Sequence, residues 1–273
     1  MKAYDVIMLG PSCIDEYYDL KSPLVMGDKS VCDFMGYKLG GMISNAAAIS
    51  ASYGLTVALI DQMNRSASSN RIVEGLEEHR VDSSLVGYDD NLDDAKCIIM
   101  LYEGERFILV VNNNKHHMQF TEEQKTALLH TKFLYTTVVD LQRYEHSLEL
   151  LSEMKRNGVK VFYDVEGSTV RHPEIDMNYL DMADVISANE GGIGALQKFF
   201  GPDCLEHMVE RGTIVVETLG TKGCRVLAKG RDSISSPAFP VEPVDTTGAG
   251  DTFNTTFVYG LLQGWNLEEC ALL

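Results

Sequence analysis

Short β-branched runs and amphipathic stretches of helical period take turns along this chain. The apolar run Val6-Ile7-Met8-Leu9 predicts a strand over residues 4–9, followed by an Ala-rich helix over 44–53 and a second strand over 56–60. The rhythm continues with a helix over 66–79, a strand over 133–138, a helix over 144–157 and a strand over 159–164. Asn157-Gly158 supplies a left-handed stop between that last helix and strand. Further strands are expected over 185–187 and 213–217, with helices over 193–199 and from Gly248 onward. Repeated βα alternation predicts an α/β fold: a doubly wound, mostly parallel central sheet with helices on both faces.

Two stretches break the rhythm. Residues 31–39, and residues 97–111 with apolar runs on either side of Glu103-Gly104-Glu105, read as antiparallel strands. Lying between βα units, they predict a small antiparallel sheet that stands off the main one as a lid, formed by about 12–39 and 96–112 of a single domain spanning 1–273. Pairing of lid strands between two copies would give a homodimer.

With 273 residues, 45% of them hydrophobic, the chain can bury a full core. Its formal net charge of −17 repels polyanions, which argues against nucleic acid as a partner. An anionic ligand would need local backbone dipoles or a metal ion to attract it. The six cysteines, at 13, 32, 97, 204, 224 and 270, include no C-x-x-C pair, which argues against a structural zinc site and for buried free thiols in a reducing compartment. No apolar run reaches the length of a secretory core or a membrane span, so a cytoplasmic protein with no membrane partner is expected.

The most informative segment is Asp245-Thr246-Thr247-Gly248-Ala249-Gly250-Asp251-Thr252-Phe253, which leads from a polar loop into an apolar helix. Gly248, Ala249 and Gly250 leave little side chain in the way, so their backbone N–H groups can converge on an anion at the positive end of the helix. Donors fixed there suit the charge that spreads over a phosphoryl group in transfer, and Asp251 follows directly as a carboxylate able to take a proton from an attacking hydroxyl.

The whole segment resembles the C-terminal signature of the PfkB, or ribokinase-like, family of carbohydrate kinases. The resemblance implies ATP-dependent phosphorylation of a hydroxyl on a small sugar or sugar-like molecule, with Asp251 as catalytic base, Gly248, Ala249 and Gly250 as anion hole, and Mg²⁺ accompanying ATP. It also implies a monovalent cation such as K⁺ near Asp245 and Thr247. Leu39-Gly40-Gly41-Met42-Ile43-Ser44-Asn45 resembles the family's Gly-Gly-x-x-x-Asn sugar motif, in which Gly40 and Gly41 admit the ring and Asn45 offers both a donor and an acceptor. Asp15, after the first strand, matches the acid that accepts from sugar hydroxyls. Asn189, with Glu190 as a candidate metal contact, and Thr218, Gly220 and Gly223 of Thr-x-Gly-x-x-Gly resemble the nucleotide side, at strand ends where open α/β sheets bind ligands. Arg106, Asn112 and Lys115 are candidate sugar contacts from the lid.

The resemblance runs in order along nearly the whole chain, with three departures. Gly192 stands where the family has the Glu of Asn-x-x-Glu. Asp164-Val165-Glu166 replaces Asp-x-Asn, and the chain ends at Leu273, inside a fresh helix beginning near Asn266, so it reads as truncated relative to the family. The competing reading is a catalytically impaired sugar- or nucleotide-binding protein of the same fold. A dinucleotide oxidoreductase lacks its G-x-G-x-x-G after the first strand, and no Walker-type loop is present.

Overall fold

The computed structural model describes residues 3–111, 113, 115, 117–167, 177–242, 246 and 248–272. Eight strands form the main sheet: β1 (Val6–Leu9), β4 (Val57–Ile60), β9 (Phe133–Thr136), β10 (Lys160–Val165), β11 (Val185–Asn189), β12 (Ile214–Thr218), β13 (Cys224–Leu227) and β14 (Ile234–Ser236). Their spatial order is β14-β13-β12-β11-β10-β9-β1-β4. Among the described residues all pairings from β4 to β12 are parallel, and β13 runs antiparallel to both of its neighbours, β12 and β14, at the far edge. The parallel strands are almost continuously apolar and buried, as a sheet covered on both faces requires.

Helices α1 (Met42–Ser52), α2 (Ala67–Glu78), α9 (Ala249–Leu262) and α10 (Leu267–Ala271) carry buried residues of one core cluster, with Ile43, Leu76, Phe257 and Ala271 among them. Helices α3 (Glu122–Leu128), α4 (Val138–Gln142), α5 (Ser147–Arg156), α6 (Met177–Leu180), α7 (Glu190–Phe200) and α8 (Cys204–Glu210) contribute to the other, through Leu128, Leu141, Leu151, Leu180, Leu196 and Met208. The expected doubly wound sheet is therefore present.

A separate four-stranded sheet is built from β2 (Cys13–Leu20), β3 (Cys32–Gly40), β7 (Lys96–Tyr102) and β8 (Glu105–Val110), in the order β3-β2-β7-β8. Its outer pairs are antiparallel, but the central pair β2 and β7 is parallel. Glu103 and Gly104, with φ of 49° and 83°, make the tight turn between β7 and β8. Short strands β5 (Gln62–Met63) and β6 (Gly87–Tyr88) form a minor third pair.

Element ends differ from the sequence reading for local reasons. The strand expected over 133–138 stops at Thr136, because Thr137 caps α4 by accepting from the Asp140 N–H. The helix expected over 193–199 starts at Glu190, because Asn189 caps it by accepting from the Gly192 N–H at 2.8 Å. Of the six free thiols, Cys32 is exposed and Cys97 half-buried, against the expectation that all would be buried. Among the described residues no helix is long and apolar enough to cross a membrane.

Candidate functional site

The site is built around the start of α9. Gly248, at φ +77°, turns the chain into the helix, and no side chain caps it. Its first-turn N–H groups have no acceptor within the helix. Ala249 N–H reaches the Thr246 carbonyl at a long 3.3 Å. Ala249 and Gly250 both line a cleft of about 1120 Å³, so this helix mouth is open.

Asp251 is the first acid of α9 and is half-buried. Burial pushes its carboxyl up to about 6; the Glu166 charge adds to the rise, and a hydrogen bond from Asn45 opposes it. That bond, from Asn45 Nδ2 to Asp251 Oδ2 at 3.1 Å, joins the Gly-Gly-x-x-x-Asn segment to the Gly-Ala-Gly-Asp segment. Helices α1 and α9 lie side by side, tied further by Tyr53 Oη and Thr256 Oγ1 at 2.8 Å and by the Tyr53 and Tyr259 rings at 5.3 Å.

Below α9, a buried network fixes the helix on the sheet. Tyr135 Oη and Asn254 Nδ2 each donate to Asp164 Oδ2 at 2.8 Å, and Ser187 Oγ donates to Asn254 Oδ1 at 2.6 Å. Burial drives the Asp164 carboxyl up to about 7 in spite of those donors. The acid that the sequence places after the central strand thus anchors α9 from beneath.

Asp15 sits on β2 opposite β3, half-buried, its carboxyl raised by burial. Gly40 is required beside it, since a Cβ there would overlap the Asp15 carboxylate. Gly41, at φ +100°, then opens α1. Asp15, Gly40, Gly41, Asn45 and Asp251 therefore follow one another as a continuous line from the small sheet to the helix mouth.

The candidates read for the nucleotide side gather around one cleft. Asn189, Glu190, Thr218, Gly220 and Gly223 all line the same 1120 Å³ cleft as Ala249 and Gly250. Asn189 and Thr218 end the neighbouring strands β11 and β12, and Gly220 to Gly223 make the turn into β13. Glu190 is exposed, with an oxygen 3.6 Å from Lys222 Nζ.

Several residues of this cleft were not singled out from the sequence. Phe239, Val241, Phe253, Ala271 and Leu272 give it an apolar wall, and Phe239 is 72% exposed. Nothing in the sequence distinguishes these from ordinary loop and helix apolar residues. Glu166 also lines the cleft. α10, whose start is fixed by a reciprocal Asn266 and Glu269 capping box, brings Ala271 and Leu272 into the wall. Gly260 lets α10 dock, since a Cβ there would lie 2.7 Å from Cys270 Sγ.

Gly192 has a structural reason. It is buried, and a Cβ would overlap the Val165 carbonyl oxygen at the end of β10. A glutamate cannot occupy this position on this backbone, but Glu166 and Glu190 still present carboxylates in the cleft, a donor set that suits a water-bridged Mg²⁺. Lys115 is not a sugar contact: it is 3% exposed and its Nζ lies 2.5 Å from buried Asp61. Arg106 lies on the exposed edge strand β8. Asn112, Asp245 and Thr247 lie outside the described residues.

Comparison with known proteins bears on the family and the fold. The model of the pfkB family carbohydrate kinases matches residues 8–273. An ATP-dependent 6-phosphofructokinase of Thermoanaerobacterium thermosaccharolyticum is 23% identical, covering 98% of this chain and 84% of that protein. Ribokinase of Mus musculus is 24% identical over the same shares. The structure of Arabidopsis thaliana ribokinase complexed with ribose and ATP superposes with a TM-score of 0.82 at 22% identity, covering 99% of this chain and 89% of that one. With a family match over nearly its whole length and a close superposition on a ribokinase structure, the chain belongs to the pfkB family of carbohydrate kinases and has the ribokinase-like fold.

Proposed function

We propose that this kinase transfers the γ-phosphoryl group of ATP to a hydroxyl of a small neutral sugar, with Asp251 as the base. The observation that carries the reading is the position of Asp251: it lies in the first turn of a helix that no side chain caps, next to Gly250 of the cleft, and in hydrogen-bond contact with Asn45 of the sugar-side segment. The sugar hydroxyl oxygen attacks the γ-phosphorus, its proton passes to the Asp251 carboxylate, and the bond from phosphorus to the ADP oxygen breaks. The Gly250 and Asp251 N–H groups, with Gly248 and Ala249 shaping the turn, face the charge that develops on the moving phosphoryl oxygens. Asp15 and Asn45 hold other hydroxyls of the sugar, oriented by Gly40 and Gly41.

ATP would lie in the 1120 Å³ cleft, with its base against Phe239, Val241 and Leu272 and its phosphates beside Asn189, Thr218, Gly220 and Gly223. Glu166 and Glu190 would hold, through water, a Mg²⁺ supplied with ATP, which would neutralise phosphate charge there. A monovalent cation near Asp245 and Thr247 is part of the same proposal.

A neutral sugar is favoured over a phosphorylated one because the cations around the small sheet are engaged. Lys38 lies 4.8 Å from the Tyr17 ring, Arg71 lies 4.5 Å from the Tyr37 ring, and Lys96 Nζ stands 3.7 Å from Glu16. The test is ATP consumption with Mg²⁺ across ribose, fructose, fructose 6-phosphate and adenosine. Turnover is expected with a free sugar, and turnover with fructose 6-phosphate alone would overturn the neutral-sugar assignment. Sugar binding with no phosphorylation of any acceptor would favour the impaired binding protein.

A further inference from the structure

We propose that Cys13, Asp15 and Cys97 form a binding site for a soft divalent cation, zinc in the cell, on the small sheet. Cys13 and Asp15 are two residues apart on β2, so their side chains leave the same face of the sheet. Cys97 of the neighbouring β7 is the register partner of Asp15. The two sulfurs are 3.6 Å apart, Cys13 Sγ is 3.4 Å from Asp15 Oδ1, and the donor atoms of all three residues lie within 4.8 Å of one another.

Those separations suit tetrahedral zinc. Bond lengths of about 2.3 Å to sulfur and about 2.1 Å to oxygen give ligand edges of about 3.8 Å between two sulfurs and about 3.6 Å between sulfur and oxygen. The donors therefore already stand near the corners the ion needs. Two thiolates select a soft ion over Mg²⁺, which separates this site from the metal that accompanies ATP.

A disulfide fits the same pair less well. Because Cys97 is level with Asp15, Cys13 lies diagonally across the strand pair. Two rises along the strand and one strand spacing put the α-carbons about 8 Å apart, beyond the usual reach of a disulfide. A bridging ion spans that diagonal where a covalent bond does not.

Three protein ligands leave a fourth position open, as in zinc sites that keep an exchangeable ligand. Cys97 and Asp15 are half-buried, so an ion can enter, and Gly40 opposite Cys13 places no side chain over the carboxylate. An ion here takes the Asp15 carboxylate away from a sugar hydroxyl. That consequence, though not the binding itself, rests on the proposed role of Asp15.

The test is titration of the reduced, chelator-treated full chain with Co²⁺. The expected result is one equivalent bound with tetrahedral visible bands and a thiolate-to-cobalt charge-transfer band, all bleached by zinc. Cys97→Ser and, separately, Asp15→Asn should weaken binding at least tenfold with the fold intact by circular dichroism, whereas Cys32→Ser should leave the spectrum unchanged. Absence of the charge-transfer band, an unaltered titration in Cys97→Ser, or loss of the band in Cys32→Ser would overturn the site. Because the readout is spectroscopic, its failure leaves the phosphotransfer reading standing, and a lack of sugar turnover leaves the metal site standing.

Discussion

Asn45 Nδ2 donates to Asp251 Oδ2 at 3.1 Å, across 206 residues of sequence, so the first helix holds the acid of the last long one. The bond orients the carboxylate and stabilises its charged form against the burial that raises it.

The pH dependence of kcat/KM follows from that balance. A base must be ionised to act, so the rate should rise with pH through about 6 and level off above. Asn45→Ala removes the hydrogen bond that lowers the Asp251 pKa and should move the acid limb to higher pH. Glu166→Gln removes a charge that raises it and should move the limb to lower pH. Opposite shifts in the two variants, read from pH–rate profiles, check the electrostatics without any assumption about the sugar.

The same carboxyl should cost stability. Because burial raises its folded-state pKa above the unfolded value near 3.9, its stabilising proton is held fully below that value and is lost as pH rises through about 6. Asp251→Asn keeps the shape without the charge, so it should be more stable than the parent by about 2 kcal/mol at pH 8. Denaturant unfolding should show that gain shrinking as pH falls toward 4.

Restoring the family glutamate at position 192 should harm the protein. A Cβ at Gly192 overlaps the Val165 carbonyl oxygen, so even Gly192→Ala forces the start of α7 away from β10. A loss of about 1–3 kcal/mol is expected by thermal or denaturant unfolding, with Gly192→Glu no more active than the parent.

Strand β8 forms one edge of the small sheet, and Phe107 and Val110 on it are 56% and 78% exposed. An apolar edge of this kind invites strand pairing with a second copy. Sedimentation velocity should show a homodimer that Phe107→Asp dissociates; a monomeric parent at micromolar concentration would count against the pairing.

Much of this architecture was legible in the sequence because its signals are local. A period of apolar residues, an Asn-Gly stop and a run of small residues before Asp251 each depend on a few neighbouring positions. The partnership of Asn45 with Asp251 was not legible, since it depends on α1 and α9 lying together. Nor was the parallel pairing of β2 with β7, which places Cys97 beside Asp15 over some eighty residues of intervening chain. Lys115 shows the reverse error: a charged residue near a predicted lid reads as a ligand contact, but it is buried against Asp61, whose other oxygen accepts from the Ser12 N–H at 2.8 Å. The apolar wall of the cleft carries no signature, because Phe239 and Val241 join a common wall only once residues of β14 and α10 line the same cleft.

The central claim is that Asp251 accepts the proton of the attacking hydroxyl. Its most direct test is the turnover of Asp251→Asn against the parent on the accepted sugar, with sugar affinity measured separately by calorimetry. A fall in kcat of about 10²–10⁴-fold with sugar affinity kept within a few-fold is the expected result. Undiminished kcat in that variant would contradict the account.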